Sequence, residues 1–71
     1  MIINRIGLLA NARGISVRDL SQRARITYNT ALGLVRGTPT RIDLDVLDRV
    51  CEVLDVQPGD VLVRVSKPRE E

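Results

Sequence analysis

The sequence predicts an all-α domain, a compact bundle of five short helices, on three observations. Aliphatic residues recur at spacings of three and four through most of the chain, the period of a helix with one buried side. Ser, Thr, Asp and Gly stand at the borders of those periodic blocks, where helix caps belong. The apolar fraction of 44% includes a single aromatic residue, Tyr28, with no Phe and no Trp. A core of Leu, Ile, Val and Ala alone has to be packed at close spacing, which suits short helices.

The first block sets Ile3, Ile6, Leu9 and Ala10 at helical spacing, and predicts a helix over 2–13. Gly14 follows in the place of a C-terminal glycine cap. Ser16 is an N-cap with Asp19 three residues on, a capping box with Asp in the Glu position, and Ile15 can staple onto Leu20. The second helix therefore runs Val17 to Ala24, with Leu20, Ser21 and Ala24 inward. Arg25 and Ile26 connect it to a third, opened by Thr27 as N-cap and running from Tyr28 to about Arg36, with Ala31 and Leu34 inward. Gly37 to Thr40 reads as a loop, because Gly and Pro both interrupt regular structure there.

Asp43 or its neighbour caps a fourth helix over 44–54, with Leu44, Leu47, Val50, Cys51 and Leu54 as its buried stripe. Asp43 and Asp45 suit the positive end of its dipole. Residues 56–62 read as a turn into a short fifth helix with Pro58 at an early position. A short C-terminal strand is the alternative for 61–65, where Val61, Val63 and Val65 alternate with Leu62 and Arg64. The expected organisation is one domain over 1–65 and a flexible polar tail over 66–71.

A chain of 71 residues buries too little surface to be more than marginally stable without help. Intrachain disulfides are ruled out by the single cysteine, Cys51, and the absence of His argues against a metal. Helix packing and self-association remain. No run reaches the ~18 apolar residues of a membrane span, and Asn4 and Arg5 interrupt the apolar start, so no signal peptide is read. A reducing cytoplasm is the expected location.

Charge is unevenly spread. Residues 1–41 hold seven arginines and one acid, Asp19, a balance of +6; residues 42–71 hold four cations and eight acids, a balance of −4. One end can therefore face a polyanion while the other faces away. Solvated surface charge is the bland alternative.

Two short helices joined by a tight turn, 16–24 and 27–36, form a helix-turn-helix, and neither is stable without a surrounding bundle. Gly14-Ile15-Ser16, Asp19-Leu20-Ser21, Ile26-Thr27, Leu34 and Gly37, followed by Leu44, Leu47, Val50-Cys51, Leu54-Asp55-Val56, Pro58 and Asp60-Val61-Leu62, resemble the Cro/cI-type (XRE) phage-repressor family over roughly residues 2–62. The resemblance implies a lambda-repressor-like five-helix fold that binds double-stranded DNA as a homodimer and reads it with the third helix. It places Thr27, Tyr28, Asn29 and Gly33 toward the bases, with Leu32 nearby. Asn can bond adenine in bidentate fashion. Tyr28 would use its hydroxyl on a phosphate or base edge, or else pack on the first helix. Amides near Val17 and Tyr28 would hold phosphates, Arg18 standing beside the first of them. Arg36, Thr38 and Arg41 would lie along the DNA backbone.

Four positions depart from the family. Arg25 stands where Gly is common; in a left-handed conformation it bears strain of about 1 kcal/mol or more. Val17 replaces a common Gln at the start of the second helix. Ala10 and Val35 replace an Arg–Glu pair, so an aliphatic contact is expected where a buried ion pair would be. Gly33 lowers helix propensity by about 1 kcal/mol against Ala and, with Leu32, leaves the reading face poor in hydrogen-bonding groups.

The runner-up function is a protein-interaction module, such as an antitoxin or a small adaptor, which the apolar Leu32 and the Val61–Val65 run would suit; a protein partner is compatible with either reading. Catalysis is not expected. The acids Asp45, Asp48, Glu52 and Asp55 read as a solvated helix face and Cys51 as core, and the sequence calls for no cofactor.

Overall fold

A computed structural model describes residues 1–37 and 39–66. The elements follow in the order β1 (Ile2–Asn4), α1 (Ile6–Ala12), α2 (Val17–Ala24), α3 (Tyr28–Arg36), α4 (Leu44–Leu54), α5 (Pro58–Val61) and β2 (Leu62–Arg64). All five expected helices are present, and β1 and β2 pair antiparallel with Ile2 opposite Arg64, Ile3 opposite Val63 and Asn4 opposite Leu62. The alternative for 61–65 resolves by residue: Val61 closes α5, and Leu62 to Arg64 form the strand.

The helix expected over 2–13 starts four residues later. Ile2–Asn4 is a strand, and Ile3, expected inward on that helix, is exposed. The cause is long-range. Met1 and Val65 exchange N–H and carbonyl bonds of 2.7 and 2.9 Å, and the Arg5 amide donates to the Val61 carbonyl at 2.7 Å. The Asn4 Oδ1 then accepts the Ile6 amide at 2.9 Å, which starts α1 immediately after the strand.

The caps read from the sequence are in place. Ser16 and Asp19 form the capping box, Thr27 Oγ1 accepts the Thr30 amide, and Asp43 Oδ1 accepts the amides of Asp45 and Val46. Gly14 adopts φ +66°, and the Ile15 amide reaches back to the Ala10 carbonyl, the bond of a Schellman cap. The same bond closes α2, from Ile26 to Ser21, and α4, from Val56 to Cys51. The left-handed residues there are Arg25 (φ 57°) and Asp55 (φ 55°). Arg25 thus takes the left-handed conformation without being glycine, at the strain anticipated above.

The core joins all the helices: Ile6 and Ala10 from α1, Leu20 and Ala24 from α2, Ala31 and Leu34 from α3, Leu47, Val50, Cys51 and Leu54 from α4, and Val61 from α5. Ser21 is buried with them and donates to the Arg18 carbonyl at 2.7 Å. Leu44, expected in the α4 stripe, is 78% exposed. It is the first residue of α4, a turn ahead of the place where that helix meets its neighbours. Ala10 is buried and Val35 half-buried against the core. Their helices meet so closely that a Cβ on Gly7 would collide with the Val35 carbonyl oxygen. Only glycine permits that approach.

Candidate nucleic-acid interface

α3 shows solvent a strip of its surface because its inward side is narrow. Ala31 and Leu34 are buried, Val35 and Leu32 half-buried, and Tyr28, Asn29, Thr30, Gly33 and Arg36 exposed. At 100° per residue, Asn29, Gly33 and Arg36 lie along the line opposite the buried pair, with Leu32 on one flank. Tyr28 stands at the edge of the strip, half exposed. Among the described residues, no part of the core covers this face. A Cβ on Gly33 would meet open space, so nothing within the fold demands glycine there.

Thr27 holds the start of α3 with an uncharged hydroxyl that accepts the Thr30 amide at 3.1 Å and donates to Thr30 Oγ1 at 2.8 Å. The first turn of α3 contains no acid, so the positive end of the helix is left unneutralised. The start of α2 is different. Val17 is partly buried against the core, and Arg18 is exposed beside it. Asp19, in the same turn, is committed to the capping box through the Ser16 amide at 3.4 Å.

The exposed cations gather around these two helix starts and the connections: Arg18, Arg23, Arg25, Arg36 and Arg41, against Asp19 as the one acid between 17 and 41. Thr38 lies outside the described residues, as does the expected tail from Lys67 onward. The acids Asp43, Asp45, Asp48, Glu52, Asp55 and Asp60 are exposed on α4 and α5 and the residues bordering them, so the charge asymmetry of the sequence becomes a division between elements. Cys51 lies beneath them in the core. Burial pushes its thiol up from the ordinary value, and the carboxylates of Asp48 and Asp60 add to the shift.

Sequence reasoning missed three residues that hold this surface in place. Gly7 admits α3 to α1. Asn4 Nδ2 donates to the carbonyls of Leu34 (2.8 Å) and Gly37 (3.1 Å) at the end of α3. Arg49 Nη1 donates to the carbonyls of Ala24 (3.2 Å) and Arg25 (3.0 Å) in the turn before it. An Asn before a helical period and a lone cation in an acidic helix were visible signals. Their carbonyl partners, 24 to 33 positions away in sequence, were not.

A family model described as the Cro/C1-type HTH DNA-binding domain matches residues 5–67. The chain belongs to that family. The resemblance drawn from the capping and core residues was therefore correct, and the Cro/C1-type fold accounts for both the five helices and the tight turn at Arg25. The uncharacterised HTH-type transcriptional regulator YozG of Bacillus subtilis (strain 168) is 38% identical over 61 residues, covering 86% of this chain and 73% of that protein. A solved structure of a candidate DNA-binding protein from Bacteroides fragilis superposes with a TM-score of 0.75 at 25% identity, covering 89% of this chain and all of that one. The Cro/C1-type domain described here is a helix-turn-helix DNA-binding domain of the kind used in transcription regulation. Among the described residues no helix is long and apolar enough to cross a membrane, and no cluster of His, Cys, Asp and Glu could hold a metal ion.

Proposed function

We propose that this chain is a sequence-specific transcriptional regulator that binds duplex DNA by inserting α3 into the major groove. The observation that carries the proposal is the uncovered outer strip of α3, free of acids and flanked by exposed arginines. A groove about 12 Å wide admits a helix. Asn29 faces adenine edges from the middle of the strip. Thr27, Tyr28 and Leu32 flank it, and Gly33 lets the backbone approach the bases or sugars closely. The amides at the starts of α2 and α3, near Val17 and Tyr28, take phosphates with Arg18 beside them. Arg36, Thr38 and Arg41 follow the backbone along one strand.

With so few hydrogen-bonding groups on the strip, DNA shape and deformability supply part of the selectivity. A single copy of this size covers little duplex, and two copies related by a two-fold axis would bind half-sites about one helical turn apart. The β1–β2 ribbon, where Met1, Ile2, Ile3 and Val65 are exposed, and the α4–α5 region with exposed Leu44 are the surfaces available for that contact. Since β2 already pairs with β1 along one edge, a strand-mediated dimer would use an outer edge of the ribbon. The cytoplasm, where the DNA is, is the matching location.

The test is selection from a random duplex library followed by titration of the enriched site and of random duplex at two salt concentrations. The proposal requires an enriched motif, palindromic if two copies bind, and affinity falling with salt as for several phosphate contacts. No binding to random duplex at low salt would leave the fold serving a protein partner instead, as in an antitoxin or adaptor.

A further inference from the structure

α3 is fixed to the core by few side chains. Ala31 and Leu34 are its only fully buried residues, and apolar contact is non-directional. Hydrogen bonds are directional, and two side chains from outside the helix-turn-helix supply them, one at the end of α2 where the turn into α3 begins and one at the end of α3. In the turn, Arg49 reaches from α4 to the Ala24 and Arg25 carbonyls at 3.2 and 3.0 Å. Its guanidinium is oriented by Asp45, with Nη2 3.1 Å from Oδ2 and Nε 3.5 Å from the carbonyl. At the trailing end, Asn4 reaches from β1 to the Leu34 and Gly37 carbonyls at 2.8 and 3.1 Å, while its Oδ1 is held by the Ile6 amide at 2.9 Å. Carbonyls at a helix C-terminus have no amide partner within the helix, so each clamp fills an acceptor that the helix-turn-helix cannot fill for itself.

We infer that Arg49 and Asn4 are positioning residues for DNA binding. They set the tilt of α3 relative to the start of α2 and to the 39–41 loop, so that base edges and phosphates are met together, and neither touches DNA. Arg49 is the only cation between residues 42 and 62. Its guanidinium joins Asp45 on its own helix to the carbonyls of the turn, a use of arginine that depends on its forked donors rather than on its charge alone.

The inference rests on the DNA-binding reading above, and the experiment separates the two. Arg49→Met, Arg49→Gln, Arg49→Lys and Asn4→Ala are titrated with the selected duplex over a range of salt, below each variant's unfolding transition. Amide hydrogen exchange is followed in the free proteins. Arg49→Met and Asn4→Ala are expected to weaken binding about tenfold with an unchanged slope of log K against log salt, because no phosphate contact is lost. Arg49→Gln and Arg49→Lys, each retaining a donor, should recover part of the loss. Exchange at Ile26 and Thr27 should quicken in the Arg49 variants, and at Gly37 in Asn4→Ala, with the α4 core amides unaffected.

Unchanged affinity overturns the inference. So does a salt slope reduced by about one with full recovery in Arg49→Lys, the signature of a phosphate contact. Loss of the fold in every Arg49 variant overturns it for Arg49, which would then hold the molecule and not the pose. If the wild-type chain selects no duplex, the DNA reading fails, and the exchange rates alone still decide whether the two side chains restrain α3.

Discussion

Helices α3 and α4 each bury one side in the same core, at nine and eleven residues in length, yet their outer surfaces and their starts differ in kind. α4 opens on Asp43 with Asp45 in its first turn and carries Asp48 and Glu52 outward, so the positive end of its dipole is neutralised by its own acids. α3 opens on an uncharged Thr, has no acid in its first turn and carries Asn29, Gly33 and Arg36 outward. α4 is built for stability where it stands. α3 forgoes some of that stability, in its missing charge at the N-terminus and its glycine, and in return keeps a positive end and an open place on its surface at Gly33. The lesson is that amphipathic helices sharing one core are distinguished by the sign and size of what they leave outside.

The largest expected effect tests the sides that the two helices share. Leu34→Ala in α3 and Leu54→Ala in α4, at 4% and 0% exposure, should each destabilise the protein by about 2–5 kcal/mol, read from denaturant midpoints. Leu44→Ala should change stability by under about 0.5 kcal/mol, as for a surface site. A large loss at Leu44 in dilute solution would mean that a partner or second copy covers it.

Next come the sides that differ. Asn29→Ala should weaken binding to the selected duplex by about 1–3 kcal/mol and relax selectivity at one base position. Thr27→Asp sharpens the contrast, because it gives α3 the start that α4 has. Asp caps a helix as well as Thr or better and favours the dipole by about 0.3–1 kcal/mol, so thermal stability should hold or rise while DNA affinity falls. If affinity and stability instead rise together, the start of α3 is not near phosphate.

Gly33→Ala follows. In a helix interior with open space around it, alanine should stabilise by about 0.5–1 kcal/mol, a rise of several degrees in melting temperature for so small a domain. Weaker duplex binding by the stabilised variant would assign the glycine to close approach of DNA; unchanged binding would remove Gly33 from the interface.

The smallest effect concerns α4. The Cys51 thiol is pushed above its ordinary value of 9.0 by burial and by Asp48 and Asp60. The unfolded chain therefore ionises at a lower pH than the folded one, and the contribution is present in full below about pH 9 and fades as pH rises through the folded value. Denaturation at pH 7 and pH 10 should show a decline in the wild type that Cys51→Ala reduces.

Local chemistry was legible residue by residue. Ser16, Thr27, Asp43 and Gly14 announced where helices begin and end because a cap acts within three or four positions of itself. The inward residues of α2 and α3 followed from the period. Leu44 was misread because the periodic pattern says which side of a helix is apolar, not how far along the helix the neighbouring packing extends. Ile2 to Asn4 were misread because apolar residues at the start of the chain suit a helix as well as a strand until the partner strand, some sixty positions away, is in place. The candidate interface was legible as a set of types on one helix, while the clamps that orient it were not.

The order of short amphipathic segments, their capped borders and the separation of positive from negative charge were all fixed by the sequence alone, since each depends on near neighbours or on composition. Tertiary structure decided the β1–β2 ribbon, the glycine contact between α1 and α3, and the pairing of Arg49 with carbonyls at the end of α2 and of Asn4 with carbonyls at the end of α3. Those depend on which distant groups meet when the apolar sides close on one another. Nothing in a local pattern specifies that meeting, because a backbone carbonyl has the same chemistry at every position and only the fold says which one comes within reach.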